Sequence, residues 1–469
     1  MSEMHDHAMQ AIFGQVLERL LDHLNQAQRA SLQLLIQRLL VAAGGVERIG
    51  EFRLLVLHGN DRASAHLLAC LRAAQLSLAQ RFSQTFVLRV LVPCQPGTDA
   101  LERANHLHCF DALCLHDDSR VELLLADTDG LRPFDAHVFA LQQPQASARE
   151  AWLLFGHVQQ GSACGLMGSR LWLQLAKACA PAVRARNGVS ALVTAMPHAQ
   201  RLRLLAWSRR CLRLIEPGRA PAFQCASAMF QALARLQMRM AQLVAPPGDL
   251  ASRSVIYGCN LQLLSLDELL QHIGQQDRLQ GMLGCRFAND TYRGGLHTFT
   301  DPPLLGYLRE LQAKYLGAAR GQPNISPMQA PGLPADTVSG SNLHSESEQR
   351  LQRSYGLGEE QLACLLFAPF VERGARLDAF VRRCHPNMQV ALPYLHNALQ
   401  GRMCPDAVLR WLVNVSGLSL ARLQGLYGLR ADARALCLQR HLARRDASLR
   451  LLKPSTCSSH SIVHRSVSS

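Results

Sequence analysis

The chain has 469 residues, of which 48% are apolar and 18% charged, and a formal net charge of +14. This length calls for two or three cores, and the apolar content excludes a disordered protein. No stretch reaches the roughly 18 uncharged apolar residues of a membrane span, and residues 1–10 lack the basic and apolar regions of a secretory signal. We therefore expect a soluble cytoplasmic protein.

Cysteine usage and the choice of basic residue indicate the compartment and the source of the chain. The 15 cysteines are scattered singly without a Cys-x-x-Cys pair, which predicts reduced thiols in a cytosolic protein. Only three of the 49 basic residues are lysines, and the 46 arginines are spread through every segment. This bias is typical of a GC-rich, bacterial-type genome, so the number of arginines alone does not indicate a function.

Residues 1–45 predict an N-terminal helical hairpin. Apolar residues recur at helical spacing from Phe13 to Leu24, and a second apolar set from Leu32 to Leu40 follows Ser31 as a helix N-cap. Gly44 and Gly45 end the pair. We expect the hairpin to pack on the next domain, and the alternative is that it forms a homodimer.

Residues 46–180 predict an α/β domain, because short apolar runs alternate with turns and longer helical stretches. Joined by helices such as Ala63 to Arg81, these buried runs favour a largely parallel sheet, whose ligands bind at the carboxyl edge of the strands. The predicted strands are Phe52 to Leu57, Phe86 to Val92, Ala112 to Leu115, Val121 to Leu125, His137 to Leu141 and Trp152 to Phe155.

The remaining residues predict an all-α C-terminal half. Residues 181–316 indicate a helical extension packed on the α/β domain, with Ala226 to Leu243 as its clearest helix. Residues 317–350, rich in Gly, Pro, Ser and Asn, indicate a flexible linker, and residues 454–469 a disordered tail. Between them, residues 351–453 predict a basic helical domain of short helices, which end at Pro369, Pro386, Pro405, Gly417 and Gly428.

A glycine-rich segment after the last predicted strand is a possible phosphate-binding loop. Converging backbone amides and a helix N-terminus at this position can hold a phosphate or carboxylate. The segment lacks the Lys-Ser/Thr of a Walker A loop and the spacing of a dinucleotide fingerprint. The alternative is a tight turn that packs a helix on the sheet without a ligand. The residues of this loop are Gly161, Ser162, Gly165, Gly168 and Ser169.

No catalytic residue, cofactor or metal site is predicted. His58-Gly59 follows the first strand as an oxyanion loop does, but Val158 stands where a Gly-x-Ser-x-Gly elbow needs its serine. A dense group of zinc-donor residue types fits no usual zinc spacing, and we interpret it as coincidental. Its members are His106, His108, Cys109, Cys114 and His116.

The basic C-terminal domain carries the strongest functional indication. Residues 351–453 hold 15 basic residues against seven acids, which is +8 of the chain's +14. A predicted helix from Arg430 has an arginine arc beside an apolar stripe, and with Ser419 to Leu429 it gives a rough helix-turn-helix outline. The alternative is an ordinary bundle with a solvated face. The arc consists of Arg430, Arg434, Arg440, Arg444 and Arg445.

Together these patterns favour an α/β region with a largely parallel sheet, followed by an all-α C-terminal helical domain. The leading hypothesis is a non-enzymatic regulatory or interaction protein whose basic C-terminal module contacts nucleic acid or an acidic protein partner. The alternative is an α/β enzyme that binds a phosphorylated or other anionic small molecule at Gly161–Ser169.

Overall fold

The computed structural model of this chain describes more than half of its residues. The described ranges are 2–59, 61–93, 100–126, 131–140, 146–158, 179–185, 188–195, 261–264, 266, 277–287, 302–316, 348–349, 351–352 and 355–429. Outside them lie the Gly161–Ser169 loop, the Arg430–Arg445 arc, the helix predicted from Ala226 to Leu243, nearly all of the 317–350 linker and the tail.

Two helices form the N-terminal hairpin, α1 (Ser2–His23) and α2 (Gln26–Ala43). The predicted cap at Ser31 is wrong, because α2 begins earlier. Asn25 caps it, since the Asn25 side chain accepts the amide of Gln28 and the Gln28 side chain accepts the amide of Asn25. Gly44 ends α2 with a φ of 86°, a conformation that favours glycine.

A mixed six-stranded sheet lies in the centre of the α/β region. Its strands are β1 (Arg53–Leu57), β2 (Val87–Pro93), β3 (Val121–Ala126), β4 (Leu131–Pro133), β5 (Ala191–Thr194) and β6 (Gln262–Leu264). They are ordered β4-β3-β2-β1-β5-β6, and all neighbours are parallel except the edge pair β3 and β4. The prediction of a largely parallel sheet is therefore confirmed in part: the sheet is mixed, and its edge pair is antiparallel.

Three of the six predicted strands are wrong. Residues 112–115 form the end of a helix and the turn after it, and the two later runs lie in α5 (Ala136–Ala140) and α6 (Ala146–Val158). A short apolar run fits a buried helix as well as a buried strand, and periodicity alone does not separate them. Strands β5 and β6 lie in the segment 181–316, where mostly helix was expected. Their runs of four and three residues are too short to show the alternation that identifies a strand in a sequence.

Helices cover both faces of the sheet. On the face that includes Leu54 and Val56 lie α1, α2, α3 (Arg62–Arg81), α4 (Ala100–Ala112) and α7 (Asp277–Leu283). On the face that includes Leu55 and Leu57 lie α6, the helical segment 179–184 and α8 (Pro302–Leu316). The sheet is thus a buried middle layer.

The C-terminal module is a set of short helices joined by turns, as its prolines and glycines predicted. It contains α9 (Glu359–Phe367), α10 (Leu377–Cys384), α11 (Leu392–Leu399), α12 (Asp406–Ser416) and α13 (Leu420–Gly428), with 3-10 turns at Glu372–Gly374 and Pro386–Ala391. Its core is continuous with the second face of the sheet through α6.

Helix α6 joins the module to the sheet. The buried Trp152 ring lies 5.0 Å from that of Tyr355, and the His157 ring stacks on Phe370 at 5.5 Å. At the rim, Glu150 accepts a hydrogen bond from the Arg422 guanidinium at 2.5 Å. The module therefore packs directly on the α/β core.

Candidate functional site

The carboxyl edge of the sheet at β1 and β5 is where this topology places a ligand. From β1 the chain crosses through α3 to β2 on one side, whereas β6 lies beyond β5 on the other side of β1, so the strand order reverses between β1 and β5. In parallel sheets a ligand crevice lies at the carboxyl ends of the two strands where the order reverses. His58 follows β1 at this edge, and Thr194 ends β5.

Two buried histidines lie beside this switch point. His58 and His106 of α4 are 2% and 4% exposed, and their ring centroids are 4.9 Å apart in an edge-to-face arrangement. Burial lowers the pKa of His58 well below its ordinary value and that of His106 to about 4, so both rings are neutral near pH 7. Among the residues that the structure describes, the buried Nδ1 atom of His106 has no hydrogen-bond partner. It can therefore exchange a hydrogen bond with a neutral group.

The first helix after β1 does not offer an anion site at its N-terminus. Asp61 accepts hydrogen bonds from the Ser64 backbone amide at 2.8 Å and from its hydroxyl at 2.7 Å. A phosphate bound by the first helix of a nucleotide-binding fold uses these same amides. Here a carboxylate of the chain itself occupies the position.

A second buried polar group, at the opposite edge of the sheet, is fully bonded and structural. The Arg72 guanidinium is completely buried and donates to Gln75 and Asp118, both at 2.7 Å, and to the carbonyls of Leu113 and Cys114. Burial opposes the ionisation of Asp118, but hydrogen bonds and charge from Arg120 and Arg72 outweigh it and lower the Asp118 pKa to about 2. Such a satisfied network rigidifies a core and needs no ligand.

The structure separates the zinc-donor residue types of residues 106–116. His108 Nδ1 lies 3.0 Å from the Gly284 carbonyl, and His116 Nε2 lies 3.5 Å from Asp111, away from the buried His106. Among the residues that the structure describes, no three His, Cys, Asp or Glu side chains are placed to hold a metal ion.

The run that precedes the glycine-rich loop is a helix and not a strand. The segment Gly161–Ser169 lies outside the described residues, but the run before it, Trp152 to Phe155, is helical and belongs to α6. The loop therefore follows a helix, whereas the phosphate-binding interpretation rested on a strand-to-helix connection.

Near the end of α13, Tyr427 contacts neighbouring helices and turns of the C-terminal module. The Tyr427 hydroxyl and His396 Nδ1 share a hydrogen bond of 2.9 Å. The same hydroxyl accepts a hydrogen bond from the Gln400 side-chain amide at 3.2 Å. A Cβ built on Gly374 would lie 3.0 Å from the Tyr427 ring, so the 3-10 turn at Glu372–Gly374 packs against the same tyrosine. Residue 430 follows two positions after α13 ends.

Two exposed arginines lie close in sequence to Gly374 and Gln400, which contact this tyrosine. Arg373 lies in the turn that packs on it, and Arg402 follows Gly401 just beyond the end of α11, where its backbone amide bonds to the Asn397 carbonyl. Neither guanidinium forms an ion pair or a side-chain hydrogen bond within the described part of the chain. Sequence reasoning did not find these two residues, because exposure and lack of a partner depend on the fold.

The turn that carries Arg373 is strained. Glu372 and Arg373 have φ values of 53° and 56°, which side chains rarely adopt, and Gly374 follows at 78°. Such a conformation costs on the order of 1 to 3 kcal/mol per non-glycine residue and concentrates at functional sites. The left-handed backbone of these two residues therefore supports a functional role for this surface.

Comparison with protein-family models, with curated proteins and with solved structures found no match. In the part of the chain that the structure describes, no helix has both the length and the apolar character needed to cross a membrane.

Proposed function

We propose that this chain is a non-enzymatic regulatory or interaction protein whose C-terminal helical module contacts an anionic macromolecule, either nucleic acid or an acidic protein. One observation carries the proposal. Arg373 and Arg402 are exposed and form no ion pair with any residue that the structure describes, and Arg373 lies in the turn that packs on Tyr427 near the end of α13.

Unpaired guanidinium groups suit such a partner. Arginine presents a planar set of donors that matches phosphate and carboxylate oxygens in bidentate geometry. In the sequence, residues 430–453 add six arginines and Lys453 against Asp432 and Asp446. The described arginines and the predicted arc therefore both give the C-terminal module groups that suit an anionic partner.

The packing of the module supports a regulatory role. The module shares a core with the sheet through α6, and the Arg422–Glu150 ion pair joins the last described helix, α13, to that same helix. A partner bound at the end of α13 would thus contact an element only one layer from the sheet.

Binding of the full-length protein to a labelled DNA duplex, a single-stranded RNA and polyglutamate tests the proposal. On a duplex, log K should fall with log salt with a slope of about −0.9 for each phosphate neutralised. The variant Arg434→Ala/Arg444→Ala/Arg445→Ala should bind at least about tenfold more weakly, because each charge-assisted hydrogen bond contributes about 1.5 to 3 kcal/mol.

A second pair of variants tests the described surface. Arg373→Ala/Arg402→Ala should weaken binding. The control Arg383→Ala/Arg410→Ala removes the same charge from exposed arginines of α10 and α12, which form no ion pair with the described residues, and it should have a smaller effect. Binding of duplex or RNA but not polyglutamate would identify a nucleic-acid partner, and the reverse an acidic protein. Absence of binding to all three probes, or unchanged binding by the triple variant, would contradict the proposal.

A further inference from the structure

Two buried cysteines that are distant in sequence meet on the α4 side of the sheet. Cys109 lies in α4 and is fully buried, and Cys285 follows α7 and is 4% exposed. The Cys285 Sγ lies 3.4 Å from the Asn105 carbonyl oxygen. In an α-helix that oxygen accepts the backbone amide four residues later, which is the amide of Cys109. Cys109 therefore lies one turn from Asn105 on the same face of α4, and the Cys285 sulfur is held against that face.

Hydrogen bonds on both sides of Cys285 fix this arrangement. The Asn105 amide nitrogen donates to the Arg286 carbonyl at 2.8 Å, and the Arg286 backbone amide donates to Asn105 Oδ1 at 2.8 Å. On the other side, His108 Nδ1 lies 3.0 Å from the Gly284 carbonyl. Residues 284–286 are thus held along α4 with Cys285 facing it.

We propose that Cys109 and Cys285 are a modification site, at which a small peroxide converts the two thiols into a reversible disulfide. The Cys285 thiol loses its proton and its sulfur attacks one peroxide oxygen. The O–O bond breaks, and the departing oxygen takes up that proton and leaves as water or alcohol, which gives a sulfenic acid. The Cys109 sulfur then attacks the Cys285 sulfur and displaces the sulfenic oxygen as water. The thiols lose two electrons, the peroxide gains them, and a low-molecular-weight thiol reverses the bond by exchange.

The pair differs from the isolated buried cysteines in its electrostatics. A hydrogen bond from the Cys109 thiol lowers the pKa of Cys285 although burial opposes this, and the same bond together with burial raises the pKa of Cys109. Cys285 is therefore the attacking sulfur and Cys109 the one that closes the bond. Cys70, by contrast, has a pKa raised to about 12 by burial, so it remains a thiol.

Peptide mapping of the full-length protein tests the site. The folded protein is treated with hydrogen peroxide, unfolded in the presence of N-ethylmaleimide, digested and analysed by mass spectrometry. We expect a cross-linked peptide pair that contains Cys109 and Cys285, lacks two hydrogen atoms and separates on treatment with dithiothreitol. Cys70 should be fully alkylated in the same digest, as the matched buried control.

Two variants distinguish the roles of the sulfurs. In Cys109→Ser, Cys285 should accumulate as a sulfenic acid that dimedone traps, whereas in Cys285→Ser no adduct should form at Cys109. Recovery of both cysteines as alkylated peptides from the oxidised wild-type protein, or linkage of either one to a different cysteine, would overturn the proposal. The wild-type map decides this even if a variant does not fold.

Discussion

Buried polar side chains in this molecule fall into two kinds. Arg72 lies in a network in which each neighbour supplies a partner, and Phe13 of α1 adds a cation–π contact with its ring centroid 5.0 Å from the guanidinium carbon. His106, in contrast, is buried beside the switch point of the sheet, and its Nδ1 atom has no partner in the described part of the chain. A buried polar atom without a partner costs about 1 to 3 kcal/mol, so its presence needs a reason other than stability.

The two kinds predict opposite responses to apolar substitution. His106→Leu should leave the free energy of unfolding unchanged or raise it by about 1 to 2 kcal/mol, because it removes an unsatisfied buried atom at similar volume. Arg72→Met should lower it by about 3 to 5 kcal/mol, because it breaks a buried ion pair and leaves Asp118 without one partner. Urea unfolding followed by circular dichroism measures both. A loss for His106→Leu as large as that for Arg72→Met would show that the histidine is an ordinary core residue.

Elements were predictable from the sequence where local chemistry determines them. The C-terminal helices break close to several of the predicted residues, since α10 ends before Pro386, and α12 begins after Pro405 and ends before Gly417. Strands β1, β2 and β3 form at the apolar runs predicted for them. Helix α6 was mistaken for a strand, since it is buried on the sheet side and the module side alike and so has no polar face. Arg373 and Arg402 were not predictable, because their unpaired state depends on where distant helices pack.

The contact between α6 and the module depends on a glycine. Gly417 ends α12 with a φ of 68°, and a Cβ built on it would lie 2.8 Å from Arg149 Nη2 and 3.2 Å from Leu153 Cδ1. Gly417→Ala should lower the free energy of unfolding by about 1 to 2 kcal/mol from the left-handed backbone alone, and by more if α6 must shift.

Gly425 provides a matched control on the same module. It lies within α13, and a Cβ built on it meets nothing within 4 Å. Gly425→Ala should therefore raise stability by about 0.5 to 1 kcal/mol. Equal effects of the two substitutions in chemical unfolding would contradict the contact with α6.

At the scale of the whole molecule, the histidines make folding depend on pH. Burial lowers the pKa of His66, His106 and His157 from 6.5 to about 4, and His58 is also lowered. Three of these rings lie on the α3 and α4 side of the sheet, and His157 lies between α6 and the module. Protonation of these buried rings would therefore destabilise the packing on both faces of the sheet.

The sign of the dependence follows from proton binding. Between pH 6.5 and 4 the unfolded chain binds protons at these histidines and the folded chain does not, so stability is present above about pH 6.5 and is lost as the pH falls. Three groups with a folded pKa of about 4 give a slope of about 4 kcal/mol per pH unit near pH 5. Urea unfolding at a series of pH values measures this slope. The variant His157→Leu should reduce the proton uptake on unfolding by about one, and a midpoint that does not change between pH 6.5 and 5 would contradict the burial of these rings.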